Sequence, residues 1–379
     1  MTPASPHTAT EGSPASALRS THPAAPAAGL DPASGWEAFR PAVEREVRDF
    51  FGSSRRRAEA LAPSFGRLWE VLEESVAGGK WMRPRLVHLA YTAFAGTDPA
   101  ACARLGAAFE VLHAALVVHD DVIDRDFVRR GRPTVGAIYR DQAAALGRAP
   151  AEAEHAGHSA AIIAGDLLLA GSLRLSAAAG GQHPAAGAVA DVVHEAVFAS
   201  AAGELEDLLF SLAPDAAELQ DVLDMERLKT AAYSFEAPLK AGALLAGATA
   251  AQAAALAEVG RRIGVAYQVV DDVLGTFGTP ETTGKSVESD LREGKRTVLT
   301  AYAAGQADFE SALAAFRRGE AGVDRVRQAL RRGGAEAHAL DVADGLVSTA
   351  LELTAALELD PPLRAELTRI CNHILTRER

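Results

Sequence analysis

Two clusters of aspartates, each following an apolar run, are the groups in this sequence best suited to chemistry. They are Asp120, Asp121 and Asp124 after one run, and Asp271 and Asp272 after the other. On a helix, Asp120 and Asp124 lie about 40° apart and one turn along, so both carboxylates project from one face. Such carboxylates repel one another unless cations lie between them, and hard oxygen ligands favour Mg²⁺. The pattern predicts a magnesium site, although a single cluster of this kind is also typical of a solvated helix end.

Short basic loops fall between the predicted helices and would complement a metal site. Their cations are Lys80, Arg83, Arg129, Arg130, Lys229, Lys285 and those of the run 290–296. Each alone is typical of a solvated charge run. Together with carboxylates that hold Mg²⁺, they predict a clamp for a diphosphate. The chain lacks a G-x-x-x-x-G-K-[ST] loop after a strand, which disfavours a P-loop ATPase. Diphosphate chemistry in an apolar helical protein indicates isoprenoid substrates.

The elements that must position these groups are helices. From Trp36 onward apolar residues recur at spacings of three and four, strand-like alternation is scarce, and the predicted fold class is all-α. Residues 1–35 are rich in Ala, Pro and Ser, which predicts a disordered tail. The sequence predicts one helical domain over 36–379. The Ala-rich stretch 241–257 is too short and polar for a membrane span and is predicted to be one buried helix.

Composition narrows the class of protein. With 38 basic and 50 acidic residues the net charge is −12, which argues against partners that require a basic field, such as nucleic acid or an anionic membrane. Two cysteines, Cys102 and Cys371, form neither a disulfide framework nor a cysteine zinc site. The start lacks the pattern of a secretion signal, and no transmembrane segment is predicted. A reducing cytoplasm fits best.

Nine motifs follow one another along the chain. They are GGKWMRP (78–84), ExxH (110–113), HDDVID (119–124), RRGRPT (129–134), AGD (164–166), GELED (203–207), KT (229–230), YQVVDD (267–272) and TGK with DLREGKR (283–296). In this order they resemble the trans-isoprenyl diphosphate synthase family, also called polyprenyl synthetases. The resemblance extends from Trp36 to the C-terminus, and it is closest to geranylgeranyl diphosphate synthases.

The resemblance implies a single large helical bundle around a central apolar cavity, a homodimer, and Mg²⁺-dependent condensation of isopentenyl diphosphate with an allylic diphosphate. It implies metal binding by Asp120, Asp121, Asp124 and Asp271. Substrate binding falls to Lys80, Arg83, His113 and Arg130 for isopentenyl diphosphate and to Arg129 and Lys285 for the allylic diphosphate, with Lys229, Thr230 and Gln268 as catalytic groups. On sequence alone, His113 is also typical of a core histidine. Removing Asp120 or Asp124 is expected to lower turnover by orders of magnitude without unfolding the protein, while relieving repulsion between carboxylates.

Three residues depart from the family pattern, namely Trp81, Glu204 in place of the usual Gln, and Gly275 where a further carboxylate is usual. Two other functions remain open at this stage. A class I terpene cyclase shares the fold but has no second diphosphate to bind with Lys80 and Arg83. A non-catalytic regulatory subunit would tend to lose the aspartates.

Product length depends on the side chains before Asp120, which are expected to line the floor of the chain channel. These candidates are Leu112, Ala115 and Leu116. Relatives that stop at farnesyl diphosphate resemble one another in carrying aromatic rings at the Ala115 and Leu116 positions. The expected product is therefore geranylgeranyl diphosphate, with farnesyl or longer products as alternatives, and Ala115→Phe is expected to shorten it.

Overall fold

Helices form most of the structure, a computed structural model that describes residues 32–76, 78–129, 131–212, 218–278, 291 and 294–376. In chain order they are α1 (Pro32–Glu59), α2 (Pro63–Val76), α3 (Met82–Ala93), α4 (Pro99–Ile123), α5 (Val135–Ala145), α6 (Pro150–Gly180), α7 (Ala186–Leu212), α8 (Leu219–Glu226), a π-helix (Arg227–Glu236), α9 (Ala237–Leu245), α10 (Ala250–Phe277), α11 (Val298–Ala303), α12 (Ala307–Arg317), α13 (Val323–Arg332), α14 (Ala335–Ala356) and α15 (Pro361–Thr376). The all-α prediction is confirmed. The predicted tail lies outside the described residues, except that α1 already begins at Pro32.

A small hairpin between α4 and α5 is the exception to the helical pattern in the described part of the chain. Its strands, β1 (Val128–Arg129) and β2 (Arg132–Pro133), pair antiparallel, with Arg129 opposite Arg132. The basic motif that follows the first aspartate cluster therefore forms a turn of extended chain rather than a further helix.

Helix α4 lies between two apolar clusters. Phe109 and Leu112 face a cluster built with α3, α9, α10 and the π-helix, whereas Val111 and Ala115 face a cluster built with α1, α2 and α6. Full burial of a side chain such as Phe109 stabilises the fold by about 2 kcal/mol. The helix starts at a defined point, because the Asp98 carboxylate accepts hydrogen bonds from the amides of the first turn at 3.0 Å. The aspartate end of α4 is thus held by packing on both sides.

The stretch 241–257 is not one helix, and this prediction was wrong. Helix α9 ends at Leu245 and α10 begins at Ala250. Thr249 and Gln252 form a reciprocal capping box, with hydrogen bonds of 2.9 and 3.2 Å, and Gly247 turns the chain at φ 93°. Local capping outweighs the helix propensity of the surrounding alanines.

Two of the described helices, α4 and α6, are long and apolar enough to cross a membrane by length and composition alone. In α4 the most apolar stretch is 72% buried inside the protein, and in α6 it is 44% buried. The two helices pack along each other. Because most of its apolar stretch is buried, α4 is a core helix, whereas α6 keeps an apolar face exposed.

Candidate active site

Two aspartates in the last turn of α4 are neutralised by an arginine from the hairpin. Arg129 donates from Nη2 to Asp120 Oδ2 and from Nε to Asp121 Oδ1, both at 2.5 Å. Burial alone would lower the pKa of Arg129, but these two carboxylates outweigh it and raise the pKa above its usual range. The guanidinium is therefore permanently charged, and it offsets the repulsion that the sequence predicts between neighbouring carboxylates.

Lys229, the first residue of the KT motif, brings a second cation to the same cluster. Its Nζ lies 2.6 Å from Asp207 Oδ2, 3.1 Å from Glu204 Oε1 and 3.3 Å from Asp120 Oδ1. Burial would lower the pKa of this lysine, yet the surrounding carboxylates raise it well above the ordinary value. Burial raises the pKa of Glu204, and the charge of Lys229 opposes that shift.

Lys295, from the basic run 290–296, contributes a third cation. Its Nζ donates to Asp124 Oδ2, 171 residues earlier in the chain. The sequence signal, a lysine in the GKR motif, was present, but nothing local indicates which carboxylate it reaches. Asp124 is 9% exposed, so this ion pair is shielded from solvent.

Three carboxylates are arranged to hold a metal ion. One oxygen each from Asp120, Asp124 and Glu204 lies within 4.8 Å of the others. A donor set made only of carboxylate oxygens fits Mg²⁺, which prefers hard ligands. Glu204, a departure from the family pattern, is therefore a candidate ligand that the sequence did not predict. Asp121 instead pairs with Arg129, and Asp271 is an exposed side chain of α10 outside this group.

The π-helix that carries Lys229 fits between α7 and α10 because glycines face it. A Cβ on Gly203 of α7 would lie 2.2 Å from the Lys229 nitrogen, and a Cβ on Gly264 of α10 would lie 2.5 Å from Ala231 Cβ. Both distances are far below van der Waals contact. These glycines allow the backbone of Lys229 to approach α7 closely, which brings its side chain to the carboxylates of Glu204 and Asp207.

The same π-helix organises a second basic group. Arg83 of α3 donates from Nη2 to Ser234 Oγ at 2.9 Å and to the Tyr233 hydroxyl at 3.3 Å, and His113 Nδ1 lies 3.2 Å from that hydroxyl. Arg83 Nε is buried without a hydrogen-bond partner among the described residues. A buried donor of this kind is costly unless a ligand accepts from it, so the arrangement suits an anion. Lys80, three residues earlier, is exposed.

The second aspartate motif is linked to the first through buried acids. Gln268 Nε2 donates to Asp272 Oδ1 at 2.8 Å on α10. Glu226, the last residue of α8, is 3% exposed and faces Asp272 and Asp207. Burial, followed by the charge of Asp272, raises the pKa of Glu226 well above its ordinary value. Sequence patterns did not indicate Glu226, because its neighbours come from distant segments.

The AGD motif supports the first aspartate cluster from α6. A Cβ on Gly165 would lie 2.2 Å from His119 Nε2, so the glycine makes room for that ring, and Asp166 Oδ1 lies 3.4 Å from the same nitrogen. The ring of His119 is thereby held directly before Asp120.

Two of the predicted site residues, Arg130 and Lys285, lie outside the described residues. Thr230 is half-buried beside Lys229 on the π-helix. The structure thus brings together Asp120, Asp121, Asp124, Arg129 and Lys229 in one group, and Arg83 and His113 in another.

Comparison with known proteins decides the family. The profile described as polyprenyl synthetase matches residues 66–333, which is more than half of the chain. The chain belongs to the polyprenyl synthetase family. It is a prenyltransferase with an all-α fold.

Individual relatives within the family have different products. The chain is 37% identical over 61% of its length to a geranylfarnesyl diphosphate synthase of Aeropyrum pernix, covering 68% of that enzyme. It is 40% identical over 58% of its length to a (2E,6E)-farnesyl diphosphate synthase of Mycobacterium tuberculosis (strain ATCC 25618 / H37Rv), covering 55% of that enzyme. A solved geranylgeranyl pyrophosphate synthase of Corynebacterium glutamicum, complexed with isoprenyl diphosphate and magnesium, matches with a TM-score of 0.81 and 27% identity over 93% of this chain and all of that one.

The close backbone contact at Gly203 predicts that this prenyltransferase does not tolerate a side chain there. Gly203→Ala should displace the Lys229 backbone and lower kcat at least about a hundredfold, because small misplacements of reacting groups are costly. Gly187 of the same helix has open space around its Cβ position, so Gly187→Ala is the matched control and should keep full activity. Steady-state assays and melting curves of both variants test this, and equal activity of the two would contradict it.

The carboxylate group predicts a role for Glu204 in metal affinity. Glu204→Gln should weaken binding of Mg²⁺ or Mn²⁺ to the metal-free protein about tenfold, the scale seen when a group that supports a metal site is lost. Calorimetry and electron paramagnetic resonance with Mn²⁺ measure this without any turnover. The control is Glu206→Gln, which alters an exposed acid two residues along, on the opposite face of the same helix. It should leave the metal affinity unchanged. The same affinity in both variants would exclude Glu204 as a ligand.

The raised pKa of Glu226 predicts a pH-dependent stability difference. A buried acid whose pKa rises on folding stabilises the fold below the ordinary pKa of 4.5 and loses that contribution as pH rises through its folded pKa. Glu226→Gln should therefore become more stable relative to the parent protein from pH 5 upward, by at most about 1.4 kcal/mol per pH unit. Denaturant melts from pH 5 to 9 check this, with Glu206→Gln expected to show a constant difference. A Glu226→Gln difference that shrinks with rising pH would contradict the assignment.

Proposed function

We propose that this protein catalyses the Mg²⁺-dependent head-to-tail condensation of isopentenyl diphosphate with an allylic diphosphate, and that its product is geranylgeranyl diphosphate. One observation carries the proposal. A single ten-residue π-helix takes part in two separate groups that contain cations. Its Lys229 belongs to the carboxylate cluster with Arg129, and its Tyr233 and Ser234 contact His113 and Arg83. Two adjacent anion sites suit two diphosphate substrates. A terpene cyclase would need only the first.

In this proposal Arg129 and Lys229 bind oxygens of the allylic diphosphate at the cluster. Asp120, Asp124 and Glu204, together with Asp121 and Asp271 as the sequence predicts, would hold Mg²⁺, which when bound neutralises the departing diphosphate. The bond between the allylic carbon and its oxygen breaks, and the electron pair leaves with the diphosphate. Thr230 and Gln268 offer oxygen dipoles to the allylic cation. The Gln268 amide donates to Asp272, which leaves its carbonyl oxygen available to the cation.

Arg83, His113 and Lys80 would bind isopentenyl diphosphate about one turn further along the π-helix, next to Tyr233 and Ser234. The double bond of that substrate attacks the allylic cation and forms the new carbon–carbon bond. A proton then leaves the adjacent carbon for the released diphosphate, which restores a double bond in a product one isoprene unit longer. No side chain becomes covalently modified, so the residues of the site act by positioning and by charge.

The decisive experiment supplies labelled isopentenyl diphosphate with dimethylallyl, geranyl or farnesyl diphosphate, with and without Mg²⁺. Elongated products that need both substrates and the metal support the proposal. Asp120→Asn should reduce turnover by orders of magnitude. Arg83→Met should raise the KM for isopentenyl diphosphate more than it raises the KM for the allylic substrate. A hydrocarbon formed from the allylic substrate alone would indicate a cyclase, and absence of any product would indicate a binding subunit.

The compartment we propose is the reducing cytoplasm. Cys102 and Cys371 are free and buried. Burial raises the pKa of Cys371 to about 11, so this thiol stays protonated and unreactive at neutral pH.

Product length would depend on side chains that α4 presents on the face of Asp120. Leu116 is one turn before Asp120 and half-buried, and Leu112 is two turns before it and fully buried. Ala115 belongs to the other apolar cluster, against α1, α2 and α6. The three candidates are therefore divided between two sides of the helix.

Substitutions of Leu116 are expected to change the product length most clearly. Leu116→Phe should shift the product toward farnesyl diphosphate, and Leu116→Ala should lengthen it, because the first fills and the second opens the path beside Asp120. Ala115→Phe remains predicted to shorten the product, but it adds volume to a packed cluster and should cost about 1–3 kcal/mol of stability. Chromatography of dephosphorylated products tests all three. A length change with Ala115→Phe and none with either Leu116 variant would place the channel floor on the opposite side.

The homodimer implied by the resemblance has a suitable surface on α6 and α7. Large apolar side chains are exposed there: Ile162, Ile163, Leu173, Phe198, Leu205, Leu208, Leu209 and Leu212. Exposed apolar surface of this extent is typical of an interaction site, and a second copy of the chain presents the same face.

Disrupting this face should produce monomers. Leu205→Glu combined with Leu209→Glu should halve the mass measured by light scattering after gel filtration, because charge would be buried in the contact. Leu61→Glu, at a leucine that is 78% exposed after α1, is the control. A double variant that keeps the parent's mass would show that this face is not the dimer contact.

A further inference from the structure

The segment that presents Arg129 has little structure of its own. It leaves α4 through Arg125, whose φ of 57° lies in the left-handed region, and forms a hairpin with two residues in each strand. A hairpin of this size is not stable alone. Something outside it must hold the guanidinium of Arg129 beside Asp120 and Asp121.

Phe127 in this segment contacts side chains of two neighbouring helices. Its ring lies parallel to the imidazole of His158 on α6, with an interplanar angle of 7° and ring centres 5.6 Å apart. The guanidinium carbon of Arg140 on α5 lies 4.0 Å from the centre of the same ring. One aromatic ring thus makes a stacking contact and a cation–π contact, each with a different helix.

Both partners are brought to Phe127 by the crossing of α5 and α6. A Cβ on Gly157 would lie 2.4 Å from the carbonyl oxygen of Gly136 and 3.0 Å from Arg140 Cβ. The two backbones touch at this point, so Arg140 and His158 lie at fixed positions. Thr134, the N-cap of α5, completes the anchor, since its hydroxyl donates to the Asp126 carbonyl at 3.0 Å and its amide to the Phe127 carbonyl at 3.1 Å.

We propose that Phe127, held by Arg140 and His158, is a positioning residue that fixes the hairpin and so presents Arg129 to the allylic diphosphate. The inference rests on the proposed function, because it takes Arg129 as a ligand of that substrate. Arg129 lies two residues beyond Phe127 and contacts the carboxylates that lead into the segment. Anchoring between these points removes conformational freedom from the guanidinium before substrate arrives. Binding then costs less entropy.

A double-mutant cycle tests whether Phe127 acts through Arg129. Phe127→Ala should raise the KM for the allylic diphosphate about tenfold, the combined scale of an aromatic and a cation–π contact, with kcat and the KM for isopentenyl diphosphate changed less than about twofold. Arg129→Gln should raise the same KM at least as much. In the double variant the two effects should not multiply. Phe127→Tyr keeps the ring and should restore the parent value.

Three further variants separate positioning from general stability. Tyr302→Ala removes another aromatic–histidine stack, at His338 with ring centres 4.2 Å apart, and should lower the melting temperature without changing the allylic KM. His158→Phe keeps a stacking ring and should retain that KM, because His158 Nε2 makes no hydrogen bond to the described residues. Arg140→Met should raise it about threefold without unfolding risk, since this side chain is only half-buried.

The outcomes are distinguishable. A raised allylic KM for Arg129→Gln with no change for Phe127→Ala and Arg140→Met, or effects that multiply in the double variant, would overturn the inference and leave the proposed function intact. An unchanged allylic KM for Arg129→Gln would remove Arg129 as a substrate ligand, and the inference with it. Proportional loss of every kinetic parameter together with stability would reduce Phe127 to a packing residue.

Discussion

Carboxylates at the end of a buried apolar helix repel one another, and the arrangement of the surrounding structure follows from that repulsion. Asp120, Asp121 and Asp124 terminate α4, where the negative end of the helix dipole adds to the cost of their charge. Cations from three segments offset it, one adjacent to α4 in the chain and two distant from it. Arg129 comes from the hairpin, Lys229 from the π-helix and the third, Lys295, from the segment before α11. These segments must converge on one helix end, and the packing of the bundle holds them there.

The cations also relate the carboxylates to the proposed substrate. In the proposed function, Arg129 and Lys229 stay beside the carboxylates and would offer their remaining N–H donors to phosphate oxygens, while the carboxylates would hold Mg²⁺. The expectation from sequence, that removing Asp120 relieves repulsion, is therefore incomplete. Asp120 accepts a hydrogen bond from Arg129 and forms an ion pair with Lys229, and its loss would remove one partner from each of these two cations, which is unfavourable for buried charges. We expect Asp120→Asn to lose stability as well as turnover.

The sequence was sufficient for features that depend on local pattern. Helical periodicity predicted the all-α fold, and the spacing of Asp120 and Asp124 predicted their common face. It failed where distant segments or local capping decide, as at Thr249, which divides the Ala-rich stretch. Lys295 and Asp124 are 171 residues apart, and no periodicity relates them. Glu204 was visible only as a departure, because its proximity to the carboxylates of Asp120 and Asp124 depends on the tertiary structure.

The π-helix shows why a strained local geometry is retained at this position. The π-helical hydrogen-bonding pattern is rare compared with that of an α-helix, and such segments are frequent at functional sites. Here it directs Lys229 toward the carboxylates and, within the same ten residues, Tyr233 and Ser234 toward Arg83. In a regular α-helix Tyr233 would still lie about 40° from Lys229, but Ser234 would lie about 140° from it around the helix axis. Gly203 and Gly264 leave room for the wider turn, so its cost is offset by close packing on both sides. Under the proposed function these two groups would bind the two diphosphate substrates, and the π-helix that contacts both would set the distance between them.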